Sequence, residues 1–449
     1  MNKFVDYLKS VTDNKKICIL GFGREGSSTY KMLKKYCSCR SVTIADLKNI
    51  DREKNSISED TLIISGEKYQ NTLNDFDLVF KSPGIVLNKD IKELGCEITS
   101  ETQIFFTCYR EQIVAVTGTK GKSTVSSLIY HVLKNKYKDC YLVGNIGIPV
   151  FDIAENVTDK TIVVCELSCH QLEYMTVSPK TAMMLNIFEE HLDHYGTMEK
   201  YIAAKNNIYL HQQKGDYYYC NYDIRPNEHI AQVYTMSNKV KAADFFIKNK
   251  EIRVRSLPAF LIPTQRIKLL GEHNQYNIAA AYAVAIQYNV NNEEFYDSLC
   301  TFQPLSHRLE FVGIKKGIAY YDDSISTACA TAIEALKSVP NPDTLLVGGM
   351  DRGIDYTELI DFLNSNSNIN VICMEASGKR IYDIIMDIDF NKKERVHYAK
   401  HLEEAVVLAS QITQKGKSCI LSPAAASYGI FKNFEERGDV FKHLVESLR

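Results

Sequence analysis

The chain has 449 residues, with 53 Lys and Arg against 55 Asp and Glu, so its net charge is 53 − 55 = −2. A chain of this length exceeds a single ordinary hydrophobic core, so two to three domains are expected. The near-neutral balance argues against a nucleic-acid or membrane-surface protein, and we expect neither partner.

The thirteen cysteines form no CxxC pair and no zinc-finger spacing. They therefore predict mostly buried thiols in a reducing compartment. The amino terminus lacks an apolar signal segment, and no apolar run approaches the length of a membrane span. We expect a cytoplasmic protein.

The first strand–loop–helix unit contains the glycine-rich turn GFGREG at 21–26. A buried strand is predicted at 16–21 and a helix continues through Lys35, while Asp46 ends the next strand. Glycines at such a turn let the backbone approach a diphosphate at a helix amino terminus. A tight turn without a ligand gives the same pattern, so both interpretations stay open. Further apolar runs predict strands of a small parallel sheet at 42–45, 61–64 and 78–80.

A phosphate-binding loop is predicted where TGTKGKST, residues 117–124, follows the apolar strand at 113–116. Lys122 would contact the β- and γ-phosphates of a nucleotide, and the Ser123 hydroxyl would bind Mg²⁺. Val116 occupies the place of the first glycine in the common form of this motif. The alternative is a lysine-bearing helix cap.

Three further features of the central segment carry candidate ligands. Glu166 ends the strand at 161–165, where a carboxylate is either a Mg²⁺ ligand or an ordinary strand-end acid. The run at 186–194 contains two histidines and three acids, and indicates either a metal cluster or a solvated loop. Lys205 lies in a helix rich in small residues, and the sequence alone favours a surface position for it. Residues 215–260 are predicted to form a peripheral β-rich elaboration.

The third segment begins near residue 302 and again alternates strands and helices. Strands are predicted at 318–321, 344–347, 370–373 and 418–421. The fold class is therefore α/β with doubly wound sheets. We expect a Rossmann-like amino-terminal domain at 1–107, a central P-loop ATPase-like domain at 108–301 and a Rossmann-like carboxyl-terminal domain at 302–449.

Taken in order, these motifs resemble the Mur ligase family over essentially the whole chain. The phosphate loop matches the family's TGTxGKST throughout, and its NxxxDHxD element resembles residues 186–193, with Glu190 in place of Asp. Its YxAAK, GEHNxxN, HR and DDS elements resemble residues 201–205, 271–277, 307–308 and 322–324. The glutamate-adding branch is the most similar. Its ELSSFQLE, SPG, GNIG and SPxxxSxxxFKNFExRG motifs resemble residues 166–173, 82–84, 144–147 and 422–438.

The resemblance implies an ATP-dependent ligase of peptidoglycan precursor synthesis that acts in the cytoplasm as a monomer. Its small-molecule substrates would be UDP-N-acetylmuramoyl-L-alanine, glutamate and ATP, joined through an acyl phosphate. Two Mg²⁺ ions are expected. Because an ammonium group cannot bind Mg²⁺, the resemblance also implies that Lys205 is carbamylated by CO₂ into a carboxylate-like ligand.

The resemblance further assigns site residues group by group. The UDP-substrate site would comprise Gly23, Arg24, Asp46, Ser82, Pro83, Gly84, Asn145, Ser168 and Gln171. The ATP site would comprise Gly118, Thr119, Lys120, Gly121, Lys122, Ser123, Thr124, Asn274, Asn277, His307, Arg308 and Asp323. The amino-acid site would comprise Thr327, Arg352, Ser427 and Phe434. The metal ligands would be Ser123, Glu166, His191 and Lys205, and the catalytic residues Lys122, His191, Lys205 and Asp323.

One departure from the family pattern concerns the amino acid. Ile325 stands where the glutamate-adding enzymes usually have lysine in SKAT, and Arg352 stands where a lysine often contacts the incoming glutamate. Arginine can bind a carboxylate with two parallel hydrogen bonds. The GREG turn and this SIST sequence resemble a variant branch that adds L-glutamate. We expect D-glutamate, since most branch-specific motifs are those of the D-glutamate enzymes; L-glutamate or another amino acid is the alternative.

Two functions from other classes explain fewer of these residues. A nicotinamide-dependent oxidoreductase would use the GFGREG turn but leaves the phosphate loop and Glu166 unexplained. A non-catalytic nucleotide-binding protein should have lost several of the catalytic residues, yet the set is nearly complete.

Overall fold

The computed structural model describes residues 2–255 and 257–448 and contains three β-sheets with helices packed around them. The predicted α/β class is confirmed. By compactness the chain divides into two units, one formed by Met1–Ile262 with Tyr276–Leu299 and the other by Pro263–Gln275 with Cys300–Arg449.

The amino-terminal sheet has five parallel strands in the order β3-β2-β1-β4-β5. Its strands are β1 (Lys16–Leu20), β2 (Ser41–Asp46), β3 (Leu62–Ser65), β4 (Leu78–Lys81) and β5 (Glu97–Thr99). Its helices are α1 (Lys3–Thr12), α2 (Arg24–Tyr36) and α3 (Glu101–Tyr109). This strand order places the glycine-rich turn, between β1 and α2, at the carboxyl end of the middle strand, where open α/β sheets bind ligands.

The central sheet has nine strands in the order β14-β13-β12-β11-β10-β9-β6-β8-β7. Its strands are β6 (Ile113–Thr117), β7 (Cys140–Gly144), β8 (Ile162–Glu166), β9 (Thr181–Met184), β10 (Tyr217–Asn221), β11 (Gln232–Ser237), β12 (Phe245–Lys248), β13 (Glu251–Val254) and β14 (Phe260–Leu261). Its helices are α4 (Lys122–Lys136), α5 (Cys169–Leu172), α6 (Leu192–Tyr195), α7 (Met198–Asn206), α8 (His273–Gln287) and α9 (Asn292–Thr301). The predicted β-rich region supplies β10–β14, which extend this sheet to one edge and end in two antiparallel strands.

The carboxyl-terminal sheet has six strands in the order β15-β16-β20-β17-β18-β19, and only the β15–β16 pair is antiparallel. Its strands are β15 (Glu310–Lys315), β16 (Ile318–Asp322), β17 (Pro342–Val347), β18 (Asn370–Met374), β19 (Val396–Ala399) and β20 (Ser418–Leu421). Its helices are α10 (Cys329–Ser338), α11 (Thr357–Ser365), α12 (Glu375–Asp387), α13 (Leu402–Ile412) and α14 (Phe434–Ser447). Short 3₁₀ turns lie at Leu73–Asp75, Ile91–Glu93, Arg110–Gln112, Val150–Ile153, Tyr222–Ile224 and Lys393–Arg395.

The amino-terminal and central sheets share one hydrophobic core. Phe4 of α1 packs edge-on against Phe151, with ring centroids 5.0 Å apart, and Phe105 of α3 is fully buried in the same cluster. Aromatic side chains bury large apolar areas, so this core fixes the glycine-rich turn and the phosphate loop within one body.

The sequence predicted mostly buried cysteines and no membrane-spanning segment. Nine of the thirteen cysteines are buried, as expected. Among the described residues, no helix combines the length and apolar character that crossing a membrane requires.

Candidate active site

The phosphate loop leaves β6 through two glycines with positive φ. The φ angle is +153° at Gly118 and +87° at Gly121, conformations that strain any residue with a side chain. A Cβ atom at Gly121 would lie 2.7 Å from Oδ1 of Asn277, on α8. Two of the predicted nucleotide ligands, Gly121 and Asn277, are therefore adjacent.

Asn186 holds the loop in this shape, although it was not among the predicted site residues. Its Oδ1 accepts hydrogen bonds from the backbone N–H groups of Thr119 (3.1 Å) and Lys120 (2.8 Å), and its Nδ2 donates to the Lys120 carbonyl (3.0 Å). The Asn186 backbone oxygen also accepts from Thr119. In the sequence Asn186 shows only that it lies shortly after a buried strand, and its contacts with the phosphate loop, 66 and 67 positions away, follow from the fold.

Lys122 begins helix α4 and turns back over the loop. Its Nζ donates to the Thr119 carbonyl at 3.0 Å, at the positive end of the helix dipole. Burial lowers the pKa of Lys122, and the nearby carboxylate of Glu166 partly offsets that effect. Lys120 forms an ion pair with Glu190, the acid that replaces the family's usual Asp. The loop therefore presents backbone amides and a lysine at a helix amino terminus, which is an anion-binding arrangement.

Glu166 is fully buried at the end of β8, and backbone pairing places it level with Val116 at the end of β6. Its Oε1 accepts from Nδ2 of Asn145 at 2.8 Å and its Oε2 from Oγ of Ser126 at 3.4 Å. The Ser126 hydroxyl also reaches the Ser123 carbonyl at 3.4 Å, in the first turn of α4. The carboxylate of Glu166 and the hydroxyl of Ser123 are hard oxygen donors of the kind that Mg²⁺ prefers.

Lys205 is 1% exposed, so its predicted surface position is wrong. Its ammonium donates to the Gly118 carbonyl at 2.9 Å and lies 4.9 Å from the centre of the Tyr201 ring. The hydroxyls of Tyr201 and Thr119 are 3.0 Å apart, which ties α7 to the phosphate loop. Burial, and then the charge of Lys122, lower the pKa of Lys205 to about 8. These contacts supply the partners that a buried cation needs.

The histidines of the 186–194 run cluster with one from α5. The ring of His170 lies 5.0 Å from that of His191 and 4.4 Å from that of His194, between centroids. Nε2 of His194 is 3.3 Å from Oε2 of Glu173, whereas His191 is 45% exposed and has a φ of +57°. The run therefore combines a partly buried polar cluster with one accessible imidazole.

The predicted UDP-substrate residues Asp46 and Ser82 shape the glycine-rich turn. Oδ2 of Asp46 accepts from the backbone N–H of Phe22 at 2.7 Å, and its Oδ1 from that of Lys48 at 2.8 Å. The Ser82 hydroxyl donates to the Gly21 carbonyl at 2.7 Å. Gly23 caps α2 and is exposed, and Pro83 and Gly84 follow Ser82 in the chain.

Arg24 and Gln171 connect this turn to the central sheet. The Arg24 guanidinium donates to the carbonyl of Gly147, and Nε2 of Gln171 donates to Oε1 of Glu25 at 2.7 Å. Burial raises the pKa of Glu25 to about 7. Ser168 caps α5 by accepting a hydrogen bond from the Gln171 N–H. Pro83, Gln171 and His170 are among the residues lining a cavity at this junction.

In the carboxyl-terminal unit, Asp323 is buried and its carboxylate is engaged by its own neighbours. Its Oδ2 accepts from the hydroxyls of Ser326 (2.5 Å) and Ser422 (2.8 Å), and its Oδ1 from the Leu309 N–H (3.2 Å). Burial raises the pKa of Asp323 to about 6. This acid fixes the segment that carries Arg308.

His307 is also buried, with a φ of +62°. Its Nδ1–H donates to Oδ2 of Asp322 at 2.7 Å, and this hydrogen bond raises the pKa of His307. Asn274 is buried as well, and its Nδ2 donates to the Leu270 carbonyl at 2.6 Å.

The predicted amino-acid residues lie on three loops at the carboxyl ends of β16, β17 and β20 and at the start of α14. Thr327 and Arg352 are exposed, whereas Ser427 is buried. The Ser324 hydroxyl donates to the Phe434 carbonyl at 2.8 Å, which joins the first loop to α14. These loops share the ligand-binding edge of a parallel sheet.

Residues 116–285 match the family description "Mur ligase middle domain". The chain is 32% identical to the UDP-N-acetylmuramoylalanine–D-glutamate ligase of Alkaliphilus metalliredigens over 97% of this chain and 99% of that protein. It is 33% identical to the ligase of the same name from Clostridium kluyveri over the full length of both chains.

Solved structures share the fold at lower identity. The UDP-N-acetylmuramate-alanine ligase MurC of Thermotoga maritima aligns with a TM-score of 0.60 and 17% identity, covering 97% of this chain and 100% of that one. The MurF ligase of Thermotoga maritima, solved in complex with ADP, aligns with a TM-score of 0.58 and 16% identity, covering 98% and 96%. With full-length relatives above 30% identity, the chain belongs to the Mur ligase family.

Proposed function

We propose that the chain is the ATP-dependent ligase that joins D-glutamate to UDP-N-acetylmuramoyl-L-alanine and releases ADP and phosphate, in peptidoglycan precursor synthesis. The observation that carries this proposal is the 32% to 33% identity, over 97% to 100% of this chain, to ligases of that name. The phosphate loop and the buried residues around it supply the chemistry that the reaction needs.

The phosphate loop is proposed to bind ATP. Its backbone amides and the amino terminus of α4 would receive phosphate oxygens, and Lys122 would offset the charge that develops as the γ-phosphoryl group moves. The carboxylate of the alanyl group would attack the γ-phosphate, giving an acyl phosphate and ADP. The glutamate amine would then attack the carbonyl carbon of the acyl phosphate and expel phosphate. Asp323, His307 and Arg308 would contribute to the nucleotide site.

Two Mg²⁺ ions are proposed, one held by Ser123 and Glu166 and one by His191 and Lys205. The buried carboxylate of Glu166 fits the first ion. Lys205 as an ammonium does not fit a cation site, but its pKa near 8 leaves part of it as a neutral amine that could react with CO₂. The resulting carbamate would be an oxygen ligand. Bound Mg²⁺ would polarise the phosphoryl oxygens.

The UDP-sugar substrate is proposed to bind at the glycine-rich turn. The exposed backbone of Gly23, the side chain of Arg24 and the loop at 82–84 surround the amino terminus of α2, which favours a diphosphate. Asp46 would act by shaping this turn, because both of its oxygens accept backbone N–H groups. Asn145, Ser168 and Gln171 would contact the substrate from the central sheet.

Glutamate is proposed to bind among Thr327, Arg352, Ser427 and the backbone at Phe434. Arg352 is exposed and offers two parallel donors to one carboxylate. The names of the relatives favour D-glutamate, whereas Ile325 removes a cation that the glutamate-adding enzymes usually have.

Three further proposals accompany this function. The chain would act as a monomer in the cytoplasm. Its domains would divide at 107/108 and 301/302.

An ADP-release assay with one substrate omitted at a time tests the proposal. Release is expected only when ATP, Mg²⁺, UDP-N-acetylmuramoyl-L-alanine and glutamate are all present. Equal release without the UDP-sugar would contradict the proposed acceptor.

A further inference from the structure

Arg437 is a fully buried arginine in the first turns of α14. Burying a guanidinium is costly unless its N–H groups are hydrogen-bonded and its charge is balanced. Burial lowers the pKa of Arg437 to about 10, so it remains a cation at neutral pH. Nothing in the proposed reaction requires this charge to contact a substrate.

The hydrogen bonds of Arg437 reach two loops of the proposed amino-acid site. Its Nε donates to the Ser324 hydroxyl at 3.0 Å and its Nη2 to the Ser324 carbonyl at 2.8 Å. The same Nη2 donates to the Ala425 carbonyl at 3.1 Å. The Ser324 hydroxyl in turn donates a hydrogen bond to the Phe434 carbonyl at 2.8 Å.

A third loop packs directly against the guanidinium. A Cβ atom at Gly349 would lie 2.9 Å from Nη1 of Arg437 and 2.5 Å from the Ala426 carbonyl, so only glycine fits there. The neighbouring Met350 N–H donates to the Ala426 carbonyl at 2.8 Å. The buried carboxylate of Glu375, after β18, faces the same charge.

These contacts lie within three residues of each predicted amino-acid ligand. Ser324 precedes Thr327 by three residues, Gly349 precedes Arg352 by three, and Ala425 precedes Ser427 by two. The planar guanidinium has several donors in fixed directions, so it sets the spacing of the loops that it joins. A lysine ammonium cannot replace that fork.

We propose that Arg437 is a positioning residue for the amino-acid substrate, fixing the loops of Thr327, Arg352 and Ser427 relative to one another. The inference rests on the proposed function, because it assumes that these loops bind glutamate. Binding geometry must be held within about half an ångström, so loosening the junction should weaken glutamate binding specifically.

Arg437→Lys tests the positioning role of Arg437, and Arg395→Lys is the control. Arg395 also donates to a backbone carbonyl, that of Asn368, on a turn before β19. Steady-state kinetics should show the KM for glutamate rising about tenfold or more in Arg437→Lys, while the KM values for ATP and for the UDP-sugar stay within about twofold. The control should leave all three KM values unchanged.

Ser324→Ala is the second test variant and breaks the same junction while leaving Arg437 in place. It removes the hydroxyl that joins Arg437 to Phe434 and should raise the glutamate KM severalfold, while the KM values for ATP and for the UDP-sugar stay within about twofold. In the double variant the two effects on KM should be less than additive. An unchanged glutamate KM in both single variants, or an equal rise for all three substrates, overturns the inference. A wild-type enzyme that forms no product with glutamate instead overturns the proposed function.

Discussion

The buried ammonium of Lys205 donates a hydrogen bond to the carbonyl of Gly118 at 2.9 Å. This contact joins helix α7 to the first glycine of the phosphate loop, across 87 positions of sequence. The lysine proposed to carry the carbamate therefore lies beside the nucleotide loop and not in solvent.

Lys205→Ala should be nearly inactive, because it removes the group proposed to become a metal ligand. Short-chain carboxylates such as acetate should partly restore turnover by supplying the missing oxygens. ADP release with and without added acetate measures this. Lys200→Ala, on the exposed face of the same helix, is the control and should keep wild-type activity. Full activity of Lys205→Ala at limiting Mg²⁺ would contradict the metal-ligand role.

Lys122→Ala should lower kcat by about 10³-fold or more, because it removes a positive charge that offsets the transferring phosphoryl group. The fold should be retained, since the Lys122 side chain is only partly buried in the first turn of α4. Thermal unfolding and ligation rate are the paired measurements. Lys136→Ala, at the other end of the same helix, should leave the rate unchanged. Near-normal turnover of Lys122→Ala would defeat the ATP-site assignment.

The contrast between Lys122 and Lys205 shows how far sequence reasoning reaches. Lys122 follows a glycine-rich loop after an apolar strand. This pattern lies within one continuous segment, so the sequence of that segment alone predicts a phosphate-binding lysine. The buried position of Lys205 depends on its contact with Gly118, 87 positions away, and no local pattern shows that these two segments meet. The same limit applies to Asn186 and Arg437, whose partners lie far away in sequence. The parallel sheets were predictable because their strands are continuous apolar runs.

Arg352→Ala should raise the KM for glutamate far more than the KM for ATP, if its contact forms before the transition state. Losing a bidentate carboxylate partner removes ground-state binding of the amino acid only. Lys379 is an exposed cation paired with Asp383 on α12. Lys379→Ala is therefore the control for removing a positive charge from this unit. An equal rise in both KM values would place Arg352 outside the amino-acid site.

Glu375 should make stability fall as the pH rises. Burial raises its pKa from 4.5 to about 7, with Arg437 acting in the opposite direction. The folded state then holds a proton that the unfolded state releases, so the contribution is fully present below pH 4.5 and is lost as the pH passes about 7.

The melting temperatures of wild type and Glu375→Gln, measured between pH 4.5 and about 7, test whether the pKa of Glu375 is raised. The glutamine does not titrate, so the wild type should lose stability relative to Glu375→Gln as the pH rises. Other titrating groups are common to both proteins and cancel in the difference. A difference that does not change with pH would show that Glu375 is ionised throughout.

The most direct test of the central claim is the mass of the product formed from UDP-N-acetylmuramoyl-L-alanine and ATP with D-glutamate or L-glutamate. We expect a product that has gained one glutamyl residue, formed faster with D-glutamate and accompanied by one ADP per product. Formation with L-glutamate alone would overturn the stereochemical choice while keeping the ligase. No glutamyl product with either enantiomer would contradict the proposed function itself.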